Sequence, residues 1–403
     1  MSTPRPMLAA CCAVVLLCGG LDVTPAAAQI APGDSIDLSL PEALALGAER
    51  NPQIRQAGYT RSAAGAGVRE AYGNFLPEVA LQGQLQRTFE GTFNLFGREF
   101  QSPATYATQY QWDFSHRLLD SGRDFYRLKS ARATVDREVA GYDLQAWLVA
   151  SDVKTQYLNA RRQQALTTQA VRERARLAEH VRLAQARYDV GAVTKSDILQ
   201  AQLGASQGDV AVLQAAQTSE EALLALRRLL GGALPPGPIA LTTDFQVFQP
   251  TFEIETLLAS ARASYPGLRR LEAQEDINEA DLWIARSAYL PSLQFQYGLG
   301  RSVTDSLGFA FSGFDDRDFY AVSMNWPLFD GFSRRVATSQ ANAALQSTRA
   351  ERQQQELTLE ETVRTAHSRL LTAYAAWRAN QTSVELAAED LRLGEARYRT
   401  GAG

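Results

Sequence analysis

Apolar and polar residues alternate in four short stretches of this chain and recur at helical spacing almost everywhere else. Val79, Leu81, Leu85 and Phe89 fall on one side of the first stretch, with Gln82, Gln84, Gln86 and Thr88 on the other. Tyr106, Thr108, Tyr110, Trp112 and Phe114 then oppose Thr105, Gln109, Gln111, Asp113 and Ser115. Leu293, Phe295, Tyr297 and Leu299 oppose Gln294, Gln296 and Gly298, and Tyr320, Val322, Met324, Trp326 and Leu328 oppose Ala321, Ser323 and Asn325. A period of two predicts strands over about 79–90, 104–116, 292–301 and 319–329. Between them, 90–103 and 302–318 read as loops rich in Gly and Phe.

The remaining tracts are helical in pattern. Ser39-Leu40-Pro41-Glu42 is a capping box that starts one helix, and Asn51-Pro52 interrupts it. A second helix runs over about 52–73. From about 122 to 190 there is no proline, and Val135, Val139, Tyr142, Ala146, Val149, Val153, Tyr157 and Ala160 form a seam at spacings of three and four. Such a helix is about 100 Å long, too long for a compact globule. Gly191 stops it, Thr194 and Asp197 cap a return helix over about 195–230, and Gly231-Gly232 ends that one. A further pair of helices is expected over about 253–264 and up to about 288, and a second long one over about 332–399.

These elements come twice. Pro52 and Pro266, and Pro77 and Pro291, are 214 residues apart. Asp120 and Asp330, Val153 and Val363, Thr155 and Thr365, Tyr188 and Tyr398, and Gly191 and Gly401 are 210 apart. A register held over so many positions is an internal repeat. Residues 29–232 form the first copy, 233–251 a Pro-rich linker and 252–403 the second. Pro77 and Pro291 sit at the helix-to-strand junctions, where proline removes a donor and favours extended backbone before it. The second copy has no counterpart of the 195–230 helix, so the natural protein is expected to continue, and a form ending here to assemble poorly for want of a partner to its last seam.

Residues 1–28 read as a secretory signal, with Arg5 before an apolar core and Ala26-Ala27-Ala28 before a cleavage point. The three cysteines all lie before residue 20, so the exported chain has neither disulfides nor thiolate metal sites. Beyond residue 30 no apolar run approaches the roughly 20 residues of a spanning helix, so any membrane crossing falls to strands. Apolar on one face, Gln-rich on the other and aromatic near their ends, the four strands suit a transmembrane β-barrel. Tyr106, Tyr110, Trp112, Trp326 and Phe329 are candidate interface aromatics. Closing a barrel takes about eight strands, so several chains must contribute to one. A net charge of −4 gives no footprint for nucleic acid. Three scattered histidines, with no paired carboxylates, Ser/His/Asp set or phosphate loop, give no enzyme and no cofactor site.

Leu40-Pro41-Glu42-Ala43-Leu44 followed by Asn51-Pro52, the twin Leu-Pro junctions, Leu328-Phe329-Asp330-Gly331, and Arg187-Tyr188 and Arg397-Tyr398 each three residues before a glycine resemble the TolC family of outer-membrane efflux channels. The resemblance covers residues 37–403. It implies a mixed α and β membrane protein. A homotrimer would share a twelve-stranded β-barrel in outer-membrane lipid, continuing into a periplasmic α-helical barrel. It implies a passive exit duct of a tripartite efflux pump, with a periplasmic adaptor protein and an inner-membrane RND or ABC transporter as partners. Type I protein secretion is the alternative, and a coiled-coil structural envelope protein a more distant one. Gly191, Ala192, Val193 and Thr194 would form the periplasmic tip that meets the adaptor. Ser196 and Asp197 would face Tyr398 across a gate latch, although Asp197 also reads as a plain helix-capping acid. The family's basic latch residue would align with Gly403. Substrate choice is not legible.

Overall fold

The computed structural model describes residues 36–232, 234 and 237–400. The expected signal segment lies outside the described residues. Two three-residue strands, β1 (Ile36–Leu38) and β6 (Ile239–Leu241), pair in parallel. Four strands, β2 (Glu78–Thr88), β5 (Thr105–Leu119), β7 (Ser292–Asp305) and β8 (Asp315–Asn325), form an antiparallel sheet in the order β2-β5-β7-β8. The helices are α1 (Leu40–Arg50), α2 (Pro52–Gly73), α3 (Arg123–Asp189), α4 (Lys195–Leu229), α5 (Ile254–Ser264), α6 (Pro266–Ser287) and α7 (Ser333–Thr400). At 67 and 68 residues, α3 and α7 each extend about 100 Å. All four joints between helices and the large sheet lie at one end of it, since Glu78 pairs with Ser115 and Ser292 with Asn325.

The duplication is visible in the backbone. Phe75 N–H donates to the Tyr72 carbonyl and Leu76 N–H to Gly73, ahead of Pro77; Tyr289 and Leu290 repeat both bonds to Arg286 and Ser287 ahead of Pro291. The turns that lead from β5 into α3 and from β8 into α7 also match. Ser121 and Gly331 both have φ +64°, followed by Gly122 at +78° and Phe332 at +71°. Two residues pay no attention to the usual glycine preference there, because the joint itself requires the left-handed region.

The core is a waist around the middle of α3. Val149, Val153 and Tyr157 are buried against Leu38, Ala43, Ile54, Leu226, Leu230 and Ile239. Asn51 joins the two shorter helices end to end beside the long one. Its Oδ1 accepts from the Gln53 N–H at 2.8 Å, capping α2, and its Nδ2 donates to the Leu229 carbonyl at 2.8 Å, at the end of α4. Both α3 and α4 end in Schellman turns. Gly191 N–H donates to Tyr188 and Ala192 N–H to Arg187; Gly231 and Gly232 repeat this with Arg228 and Arg227.

Four expectations need correction. The lead and the linker are not featureless: each supplies one strand of the β1–β6 pair, too short for any periodicity to show. Residues 90–103 are not an open loop but a hairpin, β3 (Gly91–Leu95) and β4 (Arg98–Ser102). Its two-residue turn has φ +53° at Phe96 and +79° at Gly97, a geometry normally signalled by Asn or Asp before the Gly. The β7–β8 strands run further into 302–318 than their sequence pattern marks, and β8 closes at Asn325, so Trp326 and Leu328 lie beyond it. Near the sheet, α3 turns Ala133 and Ala140 inward, while Val139 is 39% exposed; small residues let α2 and α6 approach it closely.

Candidate functional site

The large sheet presents two chemically different faces. Register puts Val79, Leu81 and Leu85 beside Phe114, Trp112 and Thr108, and these beside Tyr297, Leu299 and Val303. Phe295 and Leu293 continue the face to Val322 and Met324. Val79, Leu81, Leu85, Tyr320, Val322 and Met324 are all exposed, an apolar surface that suits hydrocarbon. The opposite face is lined by amides. Gln109 donates to Gln84 at 2.6 Å, Gln111 donates to Asp113, and Arg117, Gln294, Gln296 and Ser323 share that side. A shallow hollow of about 280 Å³ opens there beside Gln82, Gln84, Gln111, Ser302 and Arg317. At the position equivalent to the Gln84–Gln109 pair, the second hairpin sets Phe319 across from Gly298, and a side chain on Gly298 would collide with that ring. The wall is thus wet, with one aromatic interruption.

Both outer strands have unpaired edges. β2 and β8 are exposed along almost their whole length, while β5 and β7 between them are largely covered. Such edges do not persist in lipid, where every backbone polar group needs a partner.

Among the candidate interface aromatics, Tyr106 lies at the end of the sheet away from the helices, its ring 5.1 Å from Phe309 and under the Arg87 guanidinium. Trp326 lies at the helical end and donates through Nε1 to the Tyr289 carbonyl at 3.2 Å. Phe329 sits in the same elbow, edge-on to Phe332. Tyr110 pairs with Gly83 at mid-strand and Trp112 one step nearer the helices, so these two stand on the apolar face well inside the rims.

The elbows carry most of the buried charge. Asp124, at the start of α3, is 4% exposed and lies 3.3 Å from Arg117 and 3.1 Å from Arg127. Burial raises its pKa above the ordinary aspartate value, and the nearby Asp120 carboxyl raises it further, against the pull of the two arginines. The equivalent position in the second repeat is Arg334. Its guanidinium pairs with Asp330 at 2.8 Å and covers the Tyr289 ring. Ser121 Oγ donates to the Pro291 carbonyl at 2.7 Å, which ties the first elbow to the second junction. Pro77 and Pro291 each stand immediately before their strand.

At the far end of α3, Gly191 has φ +74° and Ala192, Val193 and Thr194 complete an exposed turn. The Asp197 carboxylate accepts from the Thr194 N–H at 2.7 Å and from the Thr194 hydroxyl at 2.8 Å, both on Oδ2. Those bonds, the backbone one first, hold its pKa below the ordinary value. Ser196 is exposed beside it, and Tyr398 lies in the last turn of α7. Glu395, near the end of α7, acts electrostatically on Arg176 in the distal part of α3. Beside α7, Trp147, Leu257, Tyr265, Leu359, Val363 and Leu370 line an open apolar groove of about 940 Å³. The same seat beside α3 is filled by Leu226 of α4 and by Leu230, just past its end. No group of three or more metal-ligating side chains and no long apolar helix occurs among the described residues.

Comparison with known proteins agrees with this geometry. The chain is 29% identical over 365 residues to Protein CyaE of Bordetella pertussis, spanning 88% of this chain and 72% of that protein. The Campylobacter jejuni CmeC outer membrane channel superposes with a TM-score of 0.76 at 16% identity, over 90% of this chain and 77% of its own. The Vibrio cholerae outer membrane protein VceC superposes with a TM-score of 0.71 at 15% identity, over 90% and 86%. The fold is therefore that of an outer-membrane channel protomer, which gives strands to a shared barrel and long helices to a tunnel in the periplasm. Residues 44–232 and 257–403 match the family described as outer membrane efflux protein, and the chain belongs to that family.

Proposed function

We propose that this protein is the passive exit duct of a tripartite efflux pump, working as a homotrimer with a periplasmic adaptor and an inner-membrane transporter. One observation carries the reading. A four-stranded sheet with one apolar face, one amide-lined face and two open edges continues directly into helices about 100 Å long. Three copies would close twelve strands around a wet lumen and bridge most of the periplasm. The channel does no chemistry. Its wall sorts cargo only by size and wetting, and the choice of cargo falls to the pump.

The turn at Gly191, Ala192, Val193 and Thr194 is the surface proposed to meet the adaptor. Asp197, Ser196 and Tyr398 are proposed to form the closing latch. The capping bonds on Asp197 use one carboxylate oxygen and leave the other to accept from a tyrosine hydroxyl. Tyr106 and Trp326, at opposite ends of the sheet, are proposed to meet the two membrane interfaces.

The test is deletion of the gene, with cells scored for accumulation of small amphiphilic dyes and for secreted protein. Raised dye accumulation that the intact gene reverses supports the efflux duct. Loss of a secreted protein with unchanged dye levels assigns the duct to type I secretion instead. Recovery of the protein as a periplasmic monomer removes both readings.

A further inference from the structure

The two repeats are related by fixed shifts. Moving β2 forward by 214 residues gives β7, and moving β5 forward by 210 gives β8. The observed pairings obey these shifts. Leu81 stands opposite Trp112 in the first hairpin, and the shifted residues, Phe295 and Val322, stand opposite each other in the second. The seam between the repeats, β5 against β7, is also observed: Tyr110 faces Arg301, Trp112 faces Leu299 and Ser115 faces Gln296. Applying the same shifts to that seam moves β5 onto β8 and β7 back onto β2. Those are the two open edges, and only another copy of the chain can bring them together.

We propose that β8 of one copy pairs antiparallel with β2 of a second copy in the register that sets Val322 opposite Leu85, Tyr320 opposite Arg87 and Asn325 opposite Gln82. This rests on the shared-barrel reading above and adds to it the register of the closing seam. The side chains agree with it in kind. A tyrosine faces an arginine at both seams, Tyr110 with Arg301 inside the chain and Tyr320 with Arg87 between chains. Apolar residues meet on the lipid face, as Trp112 and Leu299 do within the chain. On the lumen face Ser323 meets Gln84 and Ala321 meets Gln86, small against amide. The contact inside the chain between Gln111 and Gly300 has the same character.

Slips are penalised. A shift by one residue sends every apolar side chain of one edge to the lumen. A shift by two keeps the faces but parts Tyr320 from Arg87. In the proposed register Arg87 also keeps Asp318 as a diagonal neighbour, within reach of a long side chain. This mirrors Arg301, which pairs with Asp316 at 3.1 Å and Asp318 at 3.4 Å on its own β8.

Cysteine cross-linking in outer membranes tests the register, because the only cysteines precede residue 20. Two double variants, V322C/L85C and S323C/Q84C, sample the two classes of opposed pair, so one suits a disulfide even if the other does not. Oxidation should shift the protein from monomer to covalent trimer on a non-reducing gel. The slipped controls V322C/G83C and V322C/R87C should stay monomeric. Trimer from a control, with none from the proposed pairs, overturns the register and leaves the shared barrel standing. No cross-link from any pair also overturns it. The native mass of the unmodified protein in detergent then shows whether the barrel reading fails as well: a monomer removes it, a trimer keeps it.

Discussion

The Tyr157 hydroxyl donates to the Leu38 carbonyl at 2.8 Å, inside the waist of the molecule. The same tie recurs one repeat later, where His367 Nε2 lies 3.1 Å from the Phe252 carbonyl oxygen. The long-helix partners are 210 residues apart and the carbonyls 214, so the contact has survived duplication although the side chain has changed. The two versions differ in burial. Tyr157 is fully buried and also accepts from the Thr243 N–H at 3.2 Å, whereas His367 borders the open groove.

Tyr157→Phe should therefore leave the Thr243 amide without this partner and the Leu38 carbonyl with only its bond from the Thr242 N–H, at about 1–3 kcal/mol. His367→Ala should cost less, since water can replace the ring. Denaturant midpoints of the two variants in detergent check the order. A larger loss for His367→Ala would contradict the assignment of the core to the first waist.

The two Schellman glycines separate strain from collision. Gly191 and Gly231 both have positive φ, and a side chain costs roughly 1–2 kcal/mol in that region. A Cβ on Gly191 meets open space, while one on Gly231 would strike the Arg50 carbonyl. Gly231→Ala should lower the melting temperature more than Gly191→Ala. Equal shifts would mean that the waist relaxes around the added carbon.

The raised pKa of Asp124 gives the elbow a pH dependence. The folded chain holds this proton more tightly than the unfolded chain, whose aspartate titrates near pH 3.9, roughly. Stability from this group is complete below that value and is lost as pH rises through the folded pKa. Asp124→Asn should remove that slope, leaving the variant less sensitive than the wild type to a rise in pH from about 4. Unfolding midpoints across this range decide it. An unchanged slope would place the titration elsewhere.

Asp197 behaves in the opposite sense. Its pKa is depressed by the Thr194 bonds, so the cap is intact above the ordinary aspartate range and loosens only as pH falls through the lowered value. If the same carboxylate latches the tip, Asp197→Ala should raise single-channel conductance in planar bilayers at neutral pH. Thr194→Ala removes the hydroxyl bond alone and should change conductance less. Unchanged conductance in Asp197→Ala reduces Asp197 to a capping residue.

The long helices, the doubled junctions and the two-faced strands were legible because each rests on a strong local rule: proline at a fixed place, a period of two, an absence of breakers. What escaped is set by distant chain. Ile36–Leu38 and Ile239–Leu241 are strands only because they meet each other, and three residues carry no period. The Phe96-Gly97 turn hid because phenylalanine seldom takes positive φ. The inward turn of Ala140 in place of Val139 depends on helices packing from both sides. At the tip, Thr194 and Asp197 were readable as a cap from spacing alone. The action of Glu395 on Arg176 was not, because it depends on how α3 and α7, each about 100 Å long, are set by the helices packed against them.

The β1–β6 pair has a consequence for biogenesis. Leu40 N–H donates to the Thr243 hydroxyl across a separation of 203 residues, and the waist cannot assemble until both ends of that span are present. An exported chain emerges amino end first, so its first helix waits in the periplasm, apolar face uncovered, while the whole first repeat follows. During that interval the loop to be closed is long and the interactions that reward closure are still inside the cell. The waist is thus a checkpoint that reports the arrival of the first repeat as a unit.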